Sequence, residues 1–151
     1  KKAKAKASAG AAVAAAAAPA PNEPLSRKRY EKELRKLHAE LVAHMVANPG
    51  RFDALICADT LCYFGELGPA LAAAVQALRP QGHLVFTVEA LPEGAHAAYQ
   101  LQPHGRYAHQ RAYVSAMLAQ AGLNERVLRA ETLRLEAGKP VGGWLVAASR
   151  A

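Results

Sequence analysis

The stretch from Phe52 to Glu89 constrains this chain more than any other. It holds two short apolar runs, about Asp53–Ala58 (Asp-Ala-Leu-Ile-Cys-Ala) and His83–Glu89 (His-Leu-Val-Phe-Thr-Val-Glu). Neither run alternates polar with apolar residues, which is the pattern of strands covered on both faces, as in a parallel sheet flanked by helices. Between them, Glu66–Leu78 places Leu67, Leu71, Ala74, Val75 and Leu78 at helical spacing. Arg79-Pro80-Gln81-Gly82 then stops the helix and turns the chain. The segment reads as one βαβ unit with a right-handed connection.

These residues resemble a family. Phe52-Asp53 ahead of an apolar strand, Asp59 at its end, Tyr63-Phe64 in the loop and Leu78-Arg79-Pro80-Gln81-Gly82 before the next strand are similar to the fourth and fifth strands of class I S-adenosylmethionine-dependent methyltransferases. The nearest likeness is to methyltransferases attached to tetratricopeptide repeats. It runs from about Phe52 to Arg150. Within it, Gly105-Arg106-Tyr107-Ala108-His109 and the closing hairpin resemble the family's C-terminal end. The fold implied is α/β: a partial Rossmann-like sheet of two parallel strands and a C-terminal antiparallel hairpin, with flanking helices. Its strands would follow the family order fourth, fifth, seventh, sixth, the seventh antiparallel.

The rest of the chain fits that outline. Leu91–Arg106, rich in Pro, Gly, His and Gln, reads as a long loop over the sheet's C-terminal edge, where pockets form in such folds. Tyr107–Ala121 reads as a helix ended by Gly122. Asn124–Glu136 and Val141–Ser149 read as strands, and the short turn between them makes an antiparallel hairpin.

Ahead of Phe52, Leu25–Val46 is an amphipathic helix. Tyr30, Leu34, Leu37, Leu41, Val42 and Met45 form its apolar stripe, Ser26 is its N-cap, and Glu31–Arg35 makes an i,i+4 pair. Residues 25–42 also resemble the helix preceding the phosphate-binding loop in the second family of polyphosphate kinases. No Gly-x-x-x-x-Gly-Lys follows; the one Gly-Lys, Gly138-Lys139, has no glycine five positions earlier. Without that loop nothing cradles a phosphate, and kinase activity does not carry over.

Lys1–Pro24 is low-complexity, made of Lys-Ala repeats, polyalanine and three prolines. It cannot bury enough surface to offset its ordering entropy and is expected to be disordered. The division is then a tail at 1–24, a helix at 25–47 and a partial α/β domain at 51–151. The chain starts at Lys1 rather than Met, and a fragment, a spliced gene or a chimera is expected.

Charge belongs to the first part of the chain. Lys and Arg number 19 against 12 Asp and Glu, a net +7. Residues 1–36 carry ten basic and three acidic residues, the remainder nine of each. No basic face runs through the body, which argues against specific nucleic-acid binding. No apolar run approaches the ~20 residues that cross a bilayer. Cys57 and Cys62 are too few for a disulfide framework or a zinc site and read as reduced core thiols of a cytoplasmic protein. No metal site is expected; His96, His104 and His109 lack the carboxylate spacing to support one.

The resemblance implies an S-adenosylmethionine cofactor and a small-molecule or protein methyl acceptor that no motif names. It carries Asp59, Thr60 and Tyr63 over as cofactor-binding positions, and Glu89, Arg106 and Tyr107 as the substrate loop. Asp59 and His109 are the catalytic candidates, His109 as a base near neutral pH. No Gly-x-Gly occurs at any position. In the family that turn lets the backbone approach the cofactor. The expectation is therefore the C-terminal part of a methyltransferase, inactive or incomplete alone. The alternatives are a non-enzymatic α/β interaction module or a polyphosphate kinase-related chimera. A half-sheet would also expose the edge of its Phe52 strand and could self-associate through it.

Overall fold

The computed structural model describes residues 26–151. The expected disorder of the Lys/Ala/Pro-rich tail falls outside them. Among the described residues no helix is long and apolar enough to cross a membrane.

Helix α1 (Arg27–Val46) is capped as expected: the Ser26 hydroxyl accepts from the Arg29 N–H. Its buried stripe differs in one place. Leu37 is exposed, and His38 takes its turn of the helix, stacking on Phe64 with ring centroids 3.6 Å apart. Met45, Leu41 and Val42 carry the stripe into the core. Glu31 pairs with Arg27 rather than Arg35, at 3.1 Å. Strand β1 (Phe52–Cys57) follows, then a 3₁₀ turn at Leu61–Tyr63 and helix α2 (Gly68–Ala77), with Pro69 in its first turn.

The helix stops one residue earlier than its apolar spacing suggests, and strand β2 (Leu78–Ala90) begins at once. The expected Arg-Pro-Gln-Gly turn is instead a bulge inside this long strand. Phe52 pairs with Leu78, Ala54 with His83, and the extra residues between are absorbed with Gln81 at φ 64°. Gly82 is required there, since a Cβ would lie 2.9 Å from the Arg79 carbonyl oxygen and 3.2 Å from that of Asp53.

The stretch 91–106 is not all loop. Strand β3 (Tyr99–Leu101) pairs antiparallel with β4 (Tyr107–His109), and β4 continues parallel to the end of β2 through Glu89–Ala108 and Ala90–His109. Tyr107–His109 is therefore strand, not the first turn of a helix; helix α3 is Arg111–Gln120. The reason is tertiary: Leu91 N–H and Trp144 Nε1 both donate to the His109 carbonyl at 2.9 Å, which fixes it extended. Strands β5 (Leu123–Glu136) and β6 (Lys139–Arg150) close the sheet as the expected hairpin.

Among the described residues the sheet has six strands. Its spine is β1 parallel to β2, β2 antiparallel to β6, and β6 antiparallel to β5. That is the order the sequence implied, extended by the short β3–β4 hairpin.

The core occupies one face only. Leu84, Phe86 and Val88 of β2 join Val146 and Ala148 of β6 beneath Leu71 of α2 and Leu118 of α3, and α1 packs outside α2. The reason is topological. Both parallel crossovers, β1–α2–β2 and β4–α3–β5, step across the sheet in the same direction, and right-handed crossovers that step the same way lie on the same face. Among the described residues the opposite face is only patchily covered: Glu89 and Ser149 are buried on it, while Ile56 stands open. The expectation that the β1 strand is covered on both faces is thus corrected: Ile56 is 75% exposed, and Asp53 and Ala54 are exposed too. An apolar run marks what a strand can bury, not that something buries it.

Candidate functional site

Crevices form at the C-terminal ends of parallel strands. Here those ends are Asp59, just beyond β1, and Glu89, near the end of β2, with the 91–106 segment above them.

Asp59 holds the left-handed conformation at φ 51°. Asp tolerates this better than most residues, and such backbone often sits at functional positions. Its N–H donates to Thr87 Oγ1 at 3.2 Å, tying the β1 turn to β2. Its carboxylate accepts from Cys62 Sγ at 3.4 Å and lies 3.4 Å from Arg106 Nη2. Burial, then the Asp59 charge, pushes the Cys62 thiol up to about 12, so no thiolate nucleophile is available there. The two cysteines are free, Cys57 half-buried and Cys62 buried.

Arg106 links the two halves of this edge. Its guanidinium lies over the Tyr63 ring, 5.4 Å from the centroid, and its Nε is buried without a partner. Tyr30 of α1 donates to the Gly105 carbonyl at 3.3 Å, which holds α1 against the same loop.

Among the described residues, Glu89 is a buried carboxylate, 4% exposed. It accepts from Arg134 at 2.6 Å and lies 2.9 Å and 3.1 Å from His104 Nε2. Arg134 also holds Glu136 at 2.8 Å, and this hydrogen bond keeps the Glu136 carboxyl below its usual range. The register shift between Thr132 and Arg134 bends the hairpin tip over the sheet. Gly143 makes room for it, since a Cβ there would run into Leu133 and the Val88 carbonyl.

His109 lies elsewhere in character. It is fully buried, inside an aromatic cluster with Tyr99 and Tyr113. Its Nε2 is 3.0 Å from the Gly65 carbonyl, an oxygen that only accepts, so Nε2 carries the proton. The lone pair on Nδ1 then faces the interior with no partner, and burial holds the imidazole below its ordinary pKa. A base in this setting has no open path to a substrate.

The structure thus brings Asp59, Tyr63 and Arg106 into one cluster and Glu89 into another with His104 and Arg134. Thr60 turns its hydroxyl back onto the Ala58 carbonyl at 3.2 Å, and Tyr107 begins β4 in edge contact with Tyr99. Sequence reading placed Tyr30 only in an apolar stripe and His104 only in a rejected metal trio, and missed Arg134. A groove of ≈ 780 Å³ at this edge lies between Arg27 and Tyr30 of α1 and the 100–105 loop. It does not reach Asp59 or Tyr63.

Three comparisons bear on this arrangement. A sequence profile of the methyltransferase domain family matches residues 3–86, more than half of the chain, and the chain belongs to that family. No curated protein matches the sequence. Among solved structures, a SAM-dependent methyltransferase from Methanosarcina mazei aligns at TM-score 0.54 and 14% identity, covering 68% of this chain and 61% of that one. The Burkholderia thailandensis 1,6-didemethyltoxoflavin-N1-methyltransferase, solved with its substrate and S-adenosylhomocysteine, aligns at 0.53 and 15%, covering 68% and 45%. A geranyl diphosphate methyltransferase in complex with SAM aligns at 0.54 and 17%, covering 84% and 66%. The fold is that of the class I S-adenosylmethionine-dependent methyltransferases. The chain spans less than two thirds of each of these three proteins.

Proposed function

We propose that this chain is the C-terminal part of an S-adenosylmethionine-dependent methyltransferase domain and that it does not bind the cofactor unaided. Methyl transfer needs a sulfonium held in line with its acceptor, which is a problem of positioning. Asp59, Thr60 and Tyr63 stand where this reading puts one wall of the cofactor site, and Glu89, Arg106 and Tyr107 where it puts the acceptor's side.

Taken alone, these residues do not fit the cofactor. Asp59 has its side chain 59% exposed and partly neutralised by Arg106, Thr60 is turned inward, and Arg106 caps Tyr63. No Gly-x-Gly turn is present to bring backbone N–H groups to a ligand. The observation that carries the reading is that, among the described residues, β1 pairs with β2 alone and Ile56 beside that edge is exposed. The free thiols suit a reducing, cytoplasmic setting.

Calorimetric titration of the isolated chain with S-adenosylhomocysteine tests the proposal. No saturable heat is expected up to millimolar ligand. A micromolar affinity, ~8 kcal/mol of binding free energy, would show that the walls present are enough.

A further inference from the structure

Helix α1 presents a row of cations to solvent. Lys28, Lys32 and Lys36 recur every four residues, Arg29 and Arg35 flank them, and all five are exposed. They lie opposite the side that Leu41, Val42 and Met45 pack into the core. Among the described residues only Lys36 of these five meets a carboxylate, Glu40 at 4.0 Å. Glu31 is taken up by Arg27. Glu33, the remaining acid of the helix, stands at the margin of the row.

The residues ahead of the helix do not neutralise this row. Residues 1–25 carry four lysines and one acid, Glu23. Their polyalanine run offers no partner for an ammonium group, and covering unpaired charge with apolar surface is costly. Helix stability does not account for the pattern either. Like charges at i,i+4 repel and weaken a helix. Arg27, Lys28 and Arg29 occupy a first turn that holds no acid, where cations oppose the helix dipole. From residue 37 onward basic and acidic residues balance at nine of each, so the row does not belong to a generally basic surface.

We propose that the Lys28–Lys36 face of α1 docks on the phosphate backbone of nucleic acid without reading its sequence. From Lys28 to Lys36 the helix rises about 12 Å. A DNA duplex presents about seven phosphate charges over that length. A fully acidic extended peptide presents about four. An anionic bilayer suits the face less well, since its apolar side chains are only Ala39, Ala43 and Val46, too little to insert. No aromatic residue stands in the row to stack a base, and lysine and arginine on phosphates carry no sequence information. This docking does not depend on methyl transfer.

Fluorescence anisotropy of the full chain against a labelled DNA duplex of about 20 base pairs, run from ~50 to ~200 mM salt, reads the contact through counterion release. The expected dissociation constant is ~10 μM near physiological salt, unchanged when the sequence is scrambled, and log K should fall against log salt with a slope of about −4.5 for five phosphate contacts. Lys28→Gln, Lys32→Gln and Lys36→Gln together should reduce that slope to about −2 and weaken binding at least ~10-fold at the lowest salt. Arg51→Gln, Arg129→Gln and Lys139→Gln together make the same charge change at exposed positions outside α1 and should leave both nearly unchanged. The α1 variant should melt no lower than the wild type, because it relieves like-charge repulsion. No binding, or equal losses from the two triple variants, would overturn the proposal. So would binding that is lost on replacing Lys1, Lys2, Lys4 and Lys6 with Gln yet indifferent to the α1 substitutions, or binding to phosphatidylserine vesicles with none to the duplex.

Discussion

Two apolar residues on opposite faces of this sheet, Phe86 and Ile56, have opposite fates. On one, Phe86 lies under α2 and α3 and is fully buried; on the other, Ile56 stands one residue before Phe86's cross-strand partner Cys57 and is open to water. Each sits in an apolar run of the sequence. What separates them is the direction in which the connections step, which decides where helices land. Burial in this molecule is a property of topology before it is a property of residues.

That contrast can be broken most sharply by truncating each side. Phe86→Ala should cost ~3–5 kcal/mol, the usual cost of emptying a packed core site, and Ile56→Ala less than about 0.5 kcal/mol. Denaturant midpoints of the two variants check it. Comparable losses would mean that Ile56 is covered in solution.

A smaller effect is expected at the hairpin tip. Arg134→Ala leaves Glu89 buried with His104 as its remaining side-chain partner. The expected loss is ~2 kcal/mol, below the range for a fully buried pair because the Arg134 side chain is itself partly exposed. Arg134→Lys keeps the charge and should recover part of it. An unchanged midpoint for Arg134→Ala would mean that water replaces the guanidinium.

The smallest effect is in pH. Burial holds His38 and His109 below their ordinary pKa, so the unfolded chain binds protons that the folded one refuses. Stability is then fully present above the unfolded histidine value and is lost as pH falls through it, from about 6.5 downward. Melting temperature should drop between pH 7 and 5, and His109→Gln should flatten that slope. An equal slope in the variant would place its origin elsewhere.

Much of the spine was legible before the structure. The two apolar runs, the helix between them and the short turn at Ala137–Gly138 suffice for β1, α2, β2 and the β5–β6 hairpin, because each rests on local periodicity. The β3–β4 hairpin was missed, although Tyr99-Gln-Leu and Tyr107-Ala-His flank five residues containing Gly105, a usable hairpin signal. His38 displaces Leu37 because an imidazole can stack on Phe64, a contact 26 residues away that spacing does not report. For the same reason Glu89 was legible as a strand-end carboxylate while its partners His104 and Arg134 were not. The exposure of Ile56 was the least legible, since the pattern of β1 suits a covered strand.

Native-state hydrogen exchange on the isolated chain tests that contrast most directly. Amides of Leu84–Val88 in β2, flanked on both edges and roofed by helices, should exchange only through global unfolding. Amides of Ala54–Cys57 in β1 should exchange orders of magnitude faster, with the bare edge leading. Equal protection of β1 and β2 in the isolated chain would contradict the account, because it would mean that the open side of the sheet is already closed.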